Sequence, residues 1–150
     1  MAAEKSFTAK VIRIIDGDTC VVLVAKKELK IRLYGIDAPE KKQAFGAKSK
    51  KMLADLILNK NISLTVKSKK SDPLMVCDIV RKYPNLKNGA DVYKIEVNYF
   101  LIIKGYAWYL KDGPQNKKFA KAHETASKDK RGLWALKNPV APWKWRKKNK

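Results

Sequence analysis

Residues 8–36, TAKVIRIIDGDTCVVLVAKKELKIRLYGI, hold three runs rich in β-branched residues: roughly Thr8 to Ile15, Thr19 to Ala25 and Leu29 to Ile36. The Asp16-Gly17 pair between the first two is a tight-turn signal, and the charged Lys26-Lys27-Glu28 stretch supplies the second bend. Three strands so joined form an antiparallel meander. The turn between strands one and two then lies at the edge where strand three ends. Residues 15–19 are therefore expected to meet the residues that follow strand three.

Beyond this meander the period changes. Met52, Leu53, Leu56 and Ile57 fall at helical spacing, with Lys48, Lys50, Lys51 and Asp55 opposite, so one amphipathic helix is expected over Phe45 to Leu58. Ile62, Leu64 and Val66 alternate with Ser63, Thr65 and Lys67 as a fourth strand. The apolar run Leu74 to Val80 reads as a fifth, leading into a long polar loop from Arg81 to Asp91. Val92 to Val97 is the far arm of that loop, and Asn98 is expected to cap a short helix ended by Gly105. A last helix is expected over Asn116 to Lys130, with Phe119, Ala122, His123 and Ala126 as its apolar stripe and Gly132 as its terminator. His123 reads as a partly buried packing residue. Five short strands with an inserted helix and others at the end predict an α+β, mainly β protein: a five-stranded Greek-key barrel of the OB type with about three helices. The chain reads as one domain over residues 1–150, with a basic, Trp-containing tail at about residues 138–150.

Lys and Arg number 34 against 14 Asp and Glu, a net charge of +20. So large an excess repels itself in a compact chain, and the lysines are spread along the sequence instead of being gathered on one amphipathic helix. A polyanion, DNA or RNA, is the expected partner, with no membrane association and a monomeric state. The 45% apolar content excludes a wholly disordered chain. Cys20 and Cys77 lie in apolar runs without a CxxC spacing, which speaks against zinc and for two buried free thiols. Met1 to Phe7 carries Glu4 and Lys5 and no signal-like apolar run, so the sequence as it stands reads as cytoplasmic, and as secreted if a leader once preceded it.

The chemistry concentrates in two motifs, Ile15-Asp16-Gly17-Asp18-Thr19 and Arg32-Leu33-Tyr34-Gly35-Ile36-Asp37-Ala38-Pro39-Glu40. The meander brings Asp18, Asp37 and Glu40 to one rim, a clustering of negative charge that a hard cation relieves. Ca²⁺ takes carboxylate and carbonyl oxygens, which makes Asp18 and Asp37 candidate ligands. Asp16 reads as a turn former.

At these residues the sequence resembles the staphylococcal nuclease family. The resemblance extends through Val97-Asn98, Gly105-Tyr106-Ala107-Trp108, Arg131-Gly132-Leu133-Trp134 and Pro142-Trp143-Lys144-Trp145-Arg146. It implies a Ca²⁺-dependent nuclease that hydrolyses phosphodiester bonds of DNA and RNA with little sequence specificity. Asp18, Asp37 and the carbonyl of Ala38 would hold the cation, Glu40 would act as general base, and Arg32 would balance phosphoryl charge. Lys69, Lys70, Tyr109, Trp143 and Trp145 are the expected nucleic-acid contacts. One departure stands out. The family carries a second arginine after its fourth strand, where this chain has Val76 by ungapped alignment or Leu74 with a two-residue gap. Lys70 and Arg81 are the candidates for its place. The loss implies reduced activity, and it leaves a non-catalytic nucleic-acid-binding module as the alternative.

Overall fold

The computed structural model describes residues 4–69, 72–84, 87, 92–111, 113 and 115–150. Its first strand, β1 (Ser6–Asp16), is long enough to serve two neighbours, β2 (Thr19–Val24) on one side and β5 (Asn61–Val66) on the other. β2 pairs with β3 (Lys27–Leu33), and β5 pairs with β6 (Met75–Pro84). The sheet closes because β3 and β6 lie side by side in parallel, Arg32 beside Val76 and Leu33 beside Cys77. The result is the expected closed five-stranded barrel, and β7 (Val92–Glu96) extends β6 beyond it. A short second ladder joins β4 (Ile36–Asp37) to β8 (Trp108–Tyr109).

Inside the barrel, Val11, Cys20, Val22, Ile31, Leu33, Ile62, Leu64 and Ile79 form a continuous apolar core. α1 (Gly46–Ile57) caps it with Leu53, Leu56 and Ile57, and α2 (Val97–Ile103) adds Leu101 and Ile102. α3 (Lys117–Lys128) contributes Phe119, Ala122 and Ala126, and it begins where the Asn116 side chain accepts a hydrogen bond from Phe119 N–H at 3.0 Å. Both cysteines are buried and free, and burial pushes each thiol up to about 12. His123 is half-buried against Trp108 and Trp134, as its place in the apolar stripe implies.

Three expectations need correction. The second hairpin turns at Ala25 and Lys26, both in the left-handed region, and Lys27 and Glu28 already belong to β3. Arg81 to Pro84 continues β6 instead of starting a loop, because β7 is there to pair with it. Glu96 occupies the N-cap of α2, and Asn98 is a buried member of the helix. Its Oδ1 accepts from Ile79 N–H (3.0 Å), while Nδ2 donates to the carbonyls of Tyr34 (3.0 Å) and Cys77 (3.1 Å). The basic, Trp-containing tail is itself folded. It forms a fourth helix, α4 (Pro142–Lys148), with proline in the first turn where its missing N–H costs nothing. Among the described residues no helix is long and apolar enough to cross a membrane.

Candidate active site

The turn between β1 and β2 is built by its own side chains. Asp16 Oδ1 accepts from the Asp18 N–H at 3.0 Å, which bends the chain and turns the Asp18 carboxylate inward. Gly17 lets this turn press against the rest of the protein, since a Cβ there would lie 2.7 Å from the Cβ atoms of both Ala38 and Ser49. Asp18 then accepts from Thr19 Oγ1 (2.8 Å) and from the Ala38 N–H (2.8 Å), and its carbonyl accepts from Leu33 N–H (2.8 Å). The first motif and the end of strand three meet, as the meander requires.

Asp37, in β4, is 1% exposed, and Asp18 is 4% exposed. Arg32 of β3 joins them: its Nη2 lies 3.2 Å from Asp37 Oδ1 and 3.4 Å from Asp18 Oδ2. Burial raises the Asp18 carboxyl to about 8 against the lowering pull of Arg32. A carboxyl so desolvated gains from a nearby positive charge.

Glu40 stands on the loop after β4. Its N–H donates to Gln43 Oε1 (3.0 Å), and its carbonyl accepts from Gln43 N–H (2.9 Å). The loop is also held from below, because Gly46 approaches so closely that a Cβ there would overlap the Glu40 carbonyl oxygen, 1.9 Å away. Gln43 Nε2 donates in turn to the Val140 carbonyl, which ties this loop to the segment leading into α4.

Through α4 the structure adds a residue that the sequence reading left in the tail. Arg146 grips Asp37 with both guanidinium nitrogens, Nη2 to Oδ2 at 2.8 Å and Nη1 to Oδ1 at 3.2 Å, and Nη1 also donates to Glu40 Oε1. Hydrogen bonding to Asp37 raises its pKa still further above the usual arginine range. The helix is anchored by Trp143, which packs edge-on against Trp108 at 5.5 Å, and the backbone of Trp108 is paired with Asp37. Arg146 follows Trp143 by three residues, so both lie on one side of the helix, Trp143 against Trp108 and Arg146 on Asp37.

The other named residues fall elsewhere. Val76 lies directly beside Arg32 and, with Tyr34, Lys67, Ser68 and Leu110, lines a cavity of about 300 Å³. Arg81 is committed away from the site, with Nη1 donating to the Leu56 carbonyl and the guanidinium stacked 4.0 Å from the Tyr83 ring. Lys69 is exposed, and Lys70 lies outside the described residues. Tyr109 is only 5% exposed, its hydroxyl accepting from the Asn116 N–H, so its ring belongs to the core and is not displayed for stacking. Trp143 and Trp145 are half-buried, folded back with α4.

The donors around Asp18 and Asp37 are oxygens, which suit a hard cation. Among the described residues no three His, Cys, Asp or Glu side chains gather to hold a metal by themselves. A cation here would therefore take Asp18 and Asp37 and fill its remaining positions with main-chain oxygen and water. That donor set fits Ca²⁺, which commonly mixes carboxylates, carbonyls and water.

A model of the family described as "Staphylococcal nuclease homologue" matches residues 30–136. The chain is 38% identical over 144 residues to an "Uncharacterized endonuclease" of Haemophilus influenzae, covering 95% of this chain and 75% of that protein. It is 33% identical over 148 residues to a "Micrococcal nuclease" of Shigella flexneri (96% and 83%), and 34% identical over 137 residues to an "Uncharacterized endonuclease" of Escherichia coli O157:H7 (91% and 83%).

Proposed function

The chain belongs to the staphylococcal nuclease homologue family, and on that premise we propose that it is a Ca²⁺-dependent nuclease that hydrolyses phosphodiester bonds of DNA and RNA with little sequence specificity. The observation that carries this reading is the convergence of Asp18, Arg32 and Asp37 on one buried rim, with Glu40 next to Asp37 across one guanidinium. Asp18 and Asp37 would hold the cation, together with the Ala38 carbonyl. When bound, the cation supplies Lewis-acid polarisation of a phosphoryl oxygen.

The chain's own residues supply the rest. Arg32 is held between two buried carboxylates, so its guanidinium is fixed before any substrate arrives and aims at the charge that develops on the phosphoryl oxygens. Glu40 is partly exposed on a loop braced by Gln43 and Gly46, placed to orient a water and take its proton. The net charge of +20 draws the polyanion in without reading its sequence, because phosphate contacts carry no base information.

The test is digestion of plasmid DNA, single-stranded DNA and RNA with Ca²⁺, with chelator, and with Ca²⁺ after Glu40→Gln. Cleavage of all three substrates that needs Ca²⁺ and falls by about 10²-fold or more in the variant is expected, within the range of an essential acid–base group. Equal cleavage under the three conditions removes the reading.

A further inference from the structure

Nothing in β6 offers a second guanidinium to the site: the residue beside Arg32 is Val76, and Arg81 is bonded to Leu56 and stacked on Tyr83. α4 does offer one. It lies outside the residues matched by the family model. Arg32 Nη2 and Arg146 Nη1 each stand 3.2 Å from the same atom, Asp37 Oδ1. Two guanidiniums that converge on one carboxylate oxygen are also within reach of one phosphoryl group, because carboxylate and phosphate present the same two-oxygen edge to the arginine fork. We propose that Arg146 is the second phosphate-binding arginine of this site, carried in by α4 and acting with Arg32 on the phosphodiester. The proposal rests on the nuclease reading above for its kinetics, though not for its binding.

Three observations support it. Arg146 is prepositioned: the Trp143–Trp108 contact and the Gln43–Val140 hydrogen bond hold the start of its helix against the elements that carry Asp37 and Glu40. It is accessible, with 42% of its side chain exposed while Asp37 is 1% exposed, so it forms the outer wall of the site where an extended polyanion arrives. It is also exchangeable. In the free protein Nη1 donates to Glu40, and a phosphoryl oxygen that takes over this hydrogen bond frees the Glu40 carboxylate to receive a proton from water. Substrate binding and exposure of the base are thereby one event. Two guanidiniums face the carboxylates Asp18, Asp37 and Glu40, so removal of Arg146 leaves Arg32 alone to offset the charge that develops on the phosphoryl group.

The test compares wild type with Arg146→Ala, Arg146→Lys and, as a control on the same helix, Lys147→Ala, by steady-state cleavage of a labelled single-stranded oligonucleotide in Ca²⁺. Arg146→Ala should lower kcat by about 10²–10³-fold, the cost of removing one preorganised donor. Arg146→Lys should recover less than about 10-fold of this, since it restores charge without the fork. Lys147→Ala should leave kcat unaltered and KM nearly so, because Lys147 is an exposed cation of α4 outside the carboxylate cluster. Val76→Arg should do little alone and should restore part of the activity of Arg146→Ala, because position 76 adjoins Arg32. A second readout needs no turnover: in a Glu40→Gln background with Ca²⁺, fluorescence anisotropy of a labelled octathymidylate should show about 10-fold weaker binding when Arg146→Ala is added, and about 2-fold when Lys147→Ala is added. Unchanged or higher kcat in Arg146→Ala overturns the proposal, the latter identifying Arg146 as a plug on the carboxylates. If the wild type does not cleave at all, the nuclease reading fails and the anisotropy decides alone, with equal losses for the two substitutions overturning the proposal.

Discussion

Replacing Asn98 by alanine tests what closes the barrel. The side chain is 2% exposed and makes three hydrogen bonds, to Ile79 N–H and to the Tyr34 and Cys77 carbonyls. Its loss does not strand all three partners, because Cys77 O also accepts from Tyr34 N–H at 2.9 Å. Two buried groups lose the partner that Asn98 gave them, at about 1–3 kcal/mol each. Water entering the space vacated by the amide returns part of this, so about 3 kcal/mol is the expected net cost. For a chain of this size that lowers Tm by about 6–12 °C, and it is a large share of a total of about 5–15 kcal/mol. Urea unfolding followed by tryptophan fluorescence measures it directly, with the m-value as a check that the unfolded reference has not changed. Asn98→Asp gives the sharper comparison. It keeps the acceptor for Ile79 N–H but sets a carboxylate oxygen against two carbonyls, so at neutral pH it should cost more than alanine. A loss under about 1 kcal/mol for Asn98→Ala, or an aspartate better tolerated than alanine, would refute the view that this amide staples β3, β6 and α2 together.

Two further outcomes follow from single contacts. Gly46→Ala puts a Cβ onto the Glu40 carbonyl, so the loop must shift; a stability loss of about 1–3 kcal/mol and a fall in cleavage of about 10-fold or more are expected, from thermal melts and the digestion assay. His123 is shifted down, first by burial and then by Lys111, so the unfolded chain binds the extra proton and stability declines as pH falls below about 6.5. The slope cannot exceed about 1.4 kcal/mol per pH unit, and melts from pH 8 to 5.5 should show the decline reduced in His123→Gln, whereas identical profiles would show that His123 carries none of it.

The barrel was legible because its signals are local. Alternation in Ile62 to Val66, the β-branched runs on either side of Asp16-Gly17 and the helical spacing of Met52 to Ile57 each fix a structure within a few residues. The errors arose where a partner distant in sequence decided the outcome. Arg81 to Pro84 is polar and reads as loop, yet its backbone finds β7 and the segment becomes strand. Asn98 stands where a capping residue would, but its side chain has three backbone partners on the barrel, and these outweigh a local cap.

The same distinction explains the site. Asp18, Arg32, Asp37 and Glu40 sit in or beside adjoining strands, so the order of turns in a meander is enough to bring the acidic motifs together. Arg146 lies 109 residues beyond Asp37, and its arrival depends on a chain of contacts that no periodicity encodes: β8 pairing with β4, Trp108 receiving Trp143, Gln43 reaching Val140. Composition pointed the other way, since a basic segment with two tryptophans has the makings of a solvated nucleic-acid tail. The usable signal was spacing within the tail itself. Proline at position 142 favours a helix start, and tryptophan and arginine three residues apart then share a face, so whatever Trp143 packs against must also lie within reach of Arg146. A missing functional group is therefore better sought on any element that packs against the site than at the aligned position alone. Here the second guanidinium stands on α4, on Asp37, and not on β6, where Val76 lies beside Arg32.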